Sequence, residues 1–443
     1  MNGNQRRSTK LLVTTSLAVA VLLSGCGGGT KAGEVTSTDG KGDVQGNIAV
    51  AWWGGDSRNV KTNAVIDMFE AQHPGVTTER QSADFAKYFD RLNVQASSKS
   101  MPCAVQMQGR QVNDYTKRSL LVPLDEMIAA GTIDTSNIPQ VVLDSGKGTD
   151  GKTYFVPYGA AYDSVVFNRT LAEKAGVGLP DADYTWEEFV AYLKKAKAGL
   201  PEGKYVVGNS GGGVNAINAW TLAKGIPMFS EDGKLGFTRE QLTEFWKMWI
   251  DLQQEGVTVP PAKAAEQPVG PDQGYLATGD VMVDFIPGNA LFNAQKTLTG
   301  REGGELTSLT YPVGSAGSGN ALFASGFGIS ANCDNVPTTA SFINFFTNDA
   351  AAGKSFASDN GAATNTKVLE EQLNDPALPE LKKQELTLYQ EIVEDAPVLT
   401  FPPGFNAAFQ QSFLRNFDEA SFGRKTVEEA VDAFFTETNS TLG

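Results

Sequence analysis

The 443-residue chain holds one histidine, His73. Hydrolases that use an imidazole base need a positioned histidine, and most zinc sites draw on several His or Cys ligands. Three cysteines in the whole chain exclude a dense disulfide framework. Cations are the scarcer charge: 36 Lys and Arg against 51 Asp and Glu leave a net charge of −15. That is the wrong sign for a surface that neutralises nucleic-acid phosphates. No apolar run reaches the about 20 residues a membrane-crossing helix needs. No repeat of fixed period and no long β run is present, which argues against an adhesive or structural array.

What is present begins with a processing signal. Arg6, Arg7 and Lys10 precede an apolar run from Leu11 to Leu23, interrupted only by Thr14, Thr15 and Ser16. The run is short for a membrane span and fits the apolar region of a secretory signal. Leu23-Ser24-Gly25-Cys26 resembles a bacterial lipobox, which implies that Cys26 is acylated and becomes the first mature residue. Diacylglycerol plus an amide-linked chain would anchor the protein firmly, where one chain binds marginally. Residues 27–46 have almost nothing apolar and read as a flexible tether of about 25 Å. Roughly 400 residues follow, enough for two ordinary domains.

The body alternates short apolar strands with helical patterns, as α/β layering requires. Strands are expected at Asn47–Trp53, Ala104–Met107, Lys152–Pro157, Ser164–Phe167, Tyr205–Val207, Val281–Ile286 and Gly326–Ser330. A helix after Gly54-Gly55 is expected to bury Val60, Ala64, Met68 and Phe69 and to stop at His73-Pro74-Gly75. Thr185-Trp186-Glu187-Glu188 is a capped helix start. Trp246 and Trp249 recur in an apolar stripe with Leu242, Phe245 and Leu252, and the last helix presents Val427, Ala430, Val431 and Phe434.

Two pattern matches dissolve on their context. Gly146 to Thr153 satisfies G-x-x-x-x-G-K-[ST] letter for letter. A phosphate loop must follow a strand and open a helix, but Tyr154-Phe155-Val156-Pro157 is β-like, so a Gly/Asp turn is expected. Gly208-Asn209-Ser210-Gly211-Gly212 matches the nucleophile elbow G-x-S-x-G, whose base is a histidine later in the chain; His73 comes earlier. Paired carboxylates of a secreted glycosidase leave no linear signature.

Several segments together are similar to the extracellular solute-binding proteins of family 1, which serve sugar-type ABC importers. They are Trp52-Trp53-Gly54-Gly55-Asp56-Ser57-Arg58 with Phe69 to Val76, then Gly151 to Tyr158 with Val166-Phe167-Asn168 and Tyr184 to Phe189. Glu231 to Phe237, Gly326 to Ser330 with the helix behind it, and Pro402-Pro403-Gly404 complete the set. Their order spans nearly the whole body. The resemblance implies a periplasmic-binding-type fold of two α/β lobes with an interlobe hinge and a ligand cleft. By analogy lobe one comprises 47–157 and 316–350, and lobe two 158–315 and 351–443, with the first crossing near Tyr158 to Tyr162. It also sets Cys103 and Cys333 on neighbouring antiparallel strands, where they could form a disulfide or remain two buried thiols.

The resemblance further implies a monomer without cofactor, metal or catalysis, held at the outer face of the cell membrane by its lipid alone. It would capture a carbohydrate, with oligosaccharides favoured by the number of aromatic candidates, and pass it to a permease driven by a separate ATPase. A non-sugar solute is the alternative. A sugar offers C–H faces to aromatic rings and hydroxyls to planar polar groups. Candidates are Trp53, Asp56 with Arg58 fixing it, Phe85, Tyr88, and Gln108 where relatives often carry Asp. Tyr158, Tyr162, Trp220, Phe285, Asn289 and Gly404 complete them. Trp52 alternates to the far side of its strand, and Trp186, Trp246 and Trp249 are read as structural.

Overall fold

The computed structural model describes residues 39–266, 274–301, 303–397 and 399–442. The leader, Cys26 and the first part of the expected tether lie outside them. From residue 39 the tether is packed, not free. The Asp39 carbonyl accepts from Thr132 Oγ1 (2.7 Å), Gln45 and Thr338 exchange hydrogen bonds, and Val44 packs on the core. One apolar residue in a polar stretch gives no periodic signal, so this docking is invisible in the sequence.

Among the described residues eleven strands follow in order: β1 Gly46–Trp53, β2 Val76–Ala83, β3 Ala104–Gln108, β4 Val156–Asn168, β5 Tyr205–Val207, β6 Val281–Pro287, β7 Leu306–Leu309, β8 Val313–Gly314, β9 Gly317–Ser318, β10 Leu322–Ile329 and β11 Ala362–Ala363. The main sheet runs β2-β1-β3-β10-β4-β6-β5, with β11 and β7 also on β4; β8 and β9 form a separate pair. β1, β2 and β3 are parallel, and β10 runs antiparallel to β3 and β4.

β4 belongs to two sheets in succession. As far as Tyr162, opposite Leu322, it pairs with β10, and Gly159 and Ala160 pair with β11. From Asp163, opposite Pro287, it pairs with β6 and then β7. The two short strands read from the sequence are therefore one strand, and the crossing falls at Tyr162/Asp163. Gly159 interrupts the apolar run for a local reason: a Cβ there would lie 2.6 Å from the Asn360 carbonyl.

Each half has its own core. In the first, Ile48, Val50 and Trp52 meet the helices Asp56–Gln72 and Val336–Asn348 on one face of the sheet, while Ala51, Trp53 and Val105 meet the helix Phe85–Ser97 on the other. A mostly parallel sheet covered on both faces buries both phases of the strand, so Trp52 and Trp53 are both interior. The helix Asp56–Gln72 is rotated from its expected face: it buries Thr62, Val65, Ile66 and Phe69, and Val60 is 70% exposed. In the second half the faces of β4 and β6 carry Val165, Phe167 and Met282 on one core and Val166, Val281 and Ile286 on another.

Core membership moves one boundary a long way. Ala352, Phe356, Val368, Leu369, Leu386, Tyr389 and Ile392 pack with β1 and β10, so residues 351–396 belong to the first half, not with lobe two as expected. The chain returns to the second half by Phe401. These residues form amphipathic helices, and periodicity says which face is buried without saying against what. Residues 316–320 go the other way: Gly319 lies over the Ala219 carbonyl, and Asn320 Oδ1 accepts from Tyr311 N (3.0 Å).

The antiparallel register of β3 and β10 sets Ala104 opposite Ile329, and the Cys103 carbonyl accepts from Ser330 N (3.0 Å). Cys103 and Cys333 then form a disulfide with Cα atoms 4.6 Å apart.

Candidate functional site

In open α/β sheets ligands sit beyond the carboxyl ends of the strands. Here those ends from the two halves meet. β3 ends at Gln108 and opens the helix Gly109–Thr116. β5 ends at Val207 and leads through the glycine loop 208–213 into the helix Val214–Ala223. Arg110 joins them: its Nη2 donates to Asn215 Oδ1 of the second half and lies 4.0 Å from Asp163 Oδ2, at the residue where β4 changes sheets. The guanidinium sits over Phe323, 4.3 Å from the ring centroid, with Phe401 at 5.8 Å. Below it the same helix grips the returning chain. Gln111 Nε2 donates to Asn406 Oδ1 (3.0 Å), Asn113 Nδ2 to the Phe401 carbonyl (2.7 Å), and Gly404 N to Asp114 Oδ1 (2.7 Å).

Burial sets the electrostatics. It pushes the Asp163 carboxyl up to about 6, against the opposing pull of Arg110, and it lowers Arg110. Burial first, then Asp163, raises the Tyr311 phenol well above its ordinary value. On the elements that meet here several buried polar atoms have no hydrogen-bond partner among the described residues: Gln108 Nε2, Arg110 Nε, Gln111 Oε1, Asn218 Oδ1 and Tyr311 Oη. Buried polar atoms without partners are uncommon and costly in folded proteins. Here they lie on elements of both halves, and they are amides, a phenol and a guanidinium N–H, groups that pair with hydroxyls. An aromatic floor lies alongside in the second half. Phe285, half-buried, packs on the buried rings of Tyr311 (5.3 Å), Trp249 (5.8 Å) and Trp186 (6.3 Å, near-parallel).

Of the residues read from sequence, Gln108 and Phe285 fall in this region. Asn289, half-buried, follows the carboxyl end of β6. Phe85 is 40% exposed at the start of its helix, edge-on to Trp53 (5.6 Å). Trp53 itself is interior, closed in by Phe85, Tyr88 and Phe89. Tyr88 is also core, and its hydroxyl serves the carbonyls of Ala51 and Gln106. Tyr158 packs among Phe327, Phe346 and Phe356, with its hydroxyl bonded by Asn360. Tyr162 donates to the Glu385 carbonyl (3.1 Å), and Gly288 presses on its ring. Trp220 is buried against Phe245. These five are interior; aromatic residues at strand ends look alike whether they face a cleft or a second covering layer.

Arg58 does not fix Asp56, which is exposed. It turns to Asp359, 3.1 Å from Nε to Oδ2, with Lys61 Nζ at 3.1 Å and Ser57 Oγ at 3.0 Å on the other oxygen. The partner lies 301 residues away, beyond any spacing rule. Gly404 is needed for a different reason than expected: its φ is +87°, and a Cβ would lie 2.1 Å from the Thr441 carbonyl. Sequence reading missed Arg110, Asp163, Asn215 and Tyr311. The one available signal was an arginine two residues beyond a buried strand.

The misleading motifs are settled by context. Residues 147 and 153 pair as an antiparallel bridge around a turn, with no helix behind. The glycine loop at 208–213 does join strand to helix, but His73 caps the far end of the helix Asp56–Gln72 in the other half, against Phe69. Among the described residues no group of three or more His, Cys, Asp or Glu could hold a metal ion. Nor is any helix there long and apolar enough to cross a membrane.

A binding protein of Brucella abortus is 26% identical over 199 residues, covering 43% of this chain and 46% of that protein. The chain thus matches less than half the length of that curated relative. Among solved structures, an ABC substrate-binding protein of Listeria monocytogenes in complex with cycloalternan aligns with a TM-score of 0.76 at 19% identity, over 90% of this chain and 99% of that one. A periplasmic oligogalacturonide-binding protein of Yersinia enterocolitica in complex with saturated digalacturonic acid gives 0.75 at 19%, over 89% and 98%. These structural likenesses establish a shared two-lobed fold. Residues 64–382, well over half of the chain, match the family profile of bacterial extracellular solute-binding proteins, and the chain belongs to that family.

Proposed function

We propose that this protein captures a carbohydrate between its two halves and delivers it, unaltered, to the permease of an ABC importer driven by a separate ATPase. The observation that carries the reading is the set of unpartnered amide, phenol and guanidinium groups on the elements where the carboxyl ends of β3 and β5 meet. Sugar hydroxyls donate and accept, and satisfy such groups without adding charge. Half-buried Phe285 offers ring area for a pyranose face. Structural relatives hold cycloalternan and digalacturonic acid, which favours an oligosaccharide. Cys26 as a lipid anchor agrees with a binder that must stay near its permease.

Three buried acids are engaged by basic side chains: Asp163 by Arg110, Asp359 by Arg58 and Lys61, and Glu385 by Lys382. Binding works by linkage: a ligand that touches both halves shifts the hinge toward the closed form by its difference in affinity for the two states. Thermal unfolding against mono- and oligosaccharides tests this. A ligand at a hundred times its Kd should stabilise by about 2.7 kcal/mol. A flat panel, or chromatographic loss of the sugar, would sink the proposal.

A further inference from the structure

At the junction of the two halves Arg110 and Asp163 face each other. Arg110 and Asp163 are buried, with side chains 16% and 6% exposed. Among the described residues each is the other's ion-pair partner, at 4.0 Å, and Arg110 Nε has no hydrogen-bond partner. Of the side chains on the elements that meet there, Gln108, Gln111, Asn215, Asn218 and Tyr311 are uncharged, and a further acid, Asp284, is buried against Gly208. We infer that Asp163 sets the charge selectivity of the cleft: by holding Arg110 in an internal pair it makes the site select uncharged saccharides and reject uronates and amino sugars. This rests on the carbohydrate reading above and names the ligand class within it.

A carboxylate brought to Arg110 would also stand against Asp163, and an ammonium brought to Asp163 would stand against Arg110. In a poorly hydrated site such like-charge contacts are strongly unfavourable. A hydroxyl, which donates to one and accepts from the other, meets no such conflict. The balance recurs at the end of β1, where Arg58 and Lys61 surround Asp359 and Asp56 stands exposed nearby.

The test uses the whole protein and trisaccharides of matched length: neutral gluco-, galacto- and xylo-trisaccharides, trigalacturonate and the glucosamine trimer, by calorimetric titration. At least one neutral trisaccharide should bind at least tenfold more tightly than either charged one. In Asp163→Asn, Arg110 is left uncompensated, and the trigalacturonate-to-neutral affinity ratio should rise at least tenfold. The double variant R110Q/D163N, uncharged again, should weaken every saccharide yet return the ratio to the wild-type value; it tests the idea even where the single variant folds poorly. Wild-type preference for trigalacturonate or the glucosamine trimer would overturn the inference and leave carbohydrate binding standing. So would an unchanged ratio in D163N. Failure of every saccharide to bind would overturn the carbohydrate reading itself, and this inference with it.

Discussion

Asp284 gives the sharpest stability prediction. It lies in β6, buried, and accepts a hydrogen bond from the adjacent Phe285 N (2.9 Å). Gly208 leaves room for it: a Cβ there would lie 2.6 Å from Oδ1. Burial pushes this carboxyl up to about 7, only partly offset by the Phe285 amide. An unfolded aspartate titrates near 3.9. The native state therefore keeps a proton over a range in which the unfolded chain has lost it. The group's contribution to stability is full below about pH 4 and is lost as pH rises through about 7. A shift of about 3 units corresponds to roughly 4 kcal/mol at most, of which about 3 kcal/mol develops between pH 5 and pH 8. Asp284→Asn cannot ionise and escapes that penalty. Calorimetric unfolding of both proteins at pH 5 and pH 8 should show the variant gaining several degrees on the wild type at the higher pH. Comparing the two pH values cancels any packing cost of the amide. An equal difference at both, or a variant relatively weaker at pH 8, would refute the assignment of a buried, uncompensated carboxylate.

The disulfide closes a sequence separation of 230 residues, so Cys103→Ala with Cys333→Ala should lower stability by up to about 5 kcal/mol in the chain-entropy limit; thiol titration of the unreduced protein should find neither cysteine free. Tyr162→Phe removes the bond to the Glu385 carbonyl and should cost about 1 kcal/mol of stability while leaving sugar affinity unchanged. A loss of affinity measured by titration would return Tyr162 to the ligand site.

Local signals were the legible ones. The capping box at Thr185 with Glu188 is present as read, and the stripe Leu242, Phe245, Trp246, Trp249 is buried as its spacing requires. The strand-to-strand pairing of Cys103 with Cys333 followed from the family resemblance, and residue spacing alone left it open. What failed was long-range. The pairing of Arg58 with Asp359, the attachment of residues 351–396 to the first half, and the layer covering Trp53 and Tyr88 all depend on which distant element packs where. A strand's period of two says which residues share a face, but not whether that face meets a cleft or another helix. Arg110 escaped because one arginine after a strand is an ordinary surface residue until Asn215, Asp163 and Phe323 converge on it from three separate elements.

The central claim is that ligand engages both halves where the ends of β3 and β5 meet. Hydrogen–deuterium exchange of the whole protein, with and without the best-binding neutral trisaccharide, tests it most directly. The account predicts added protection in both 106–116 and 208–220 on binding. Protection confined to one half, or located away from both segments, would contradict it.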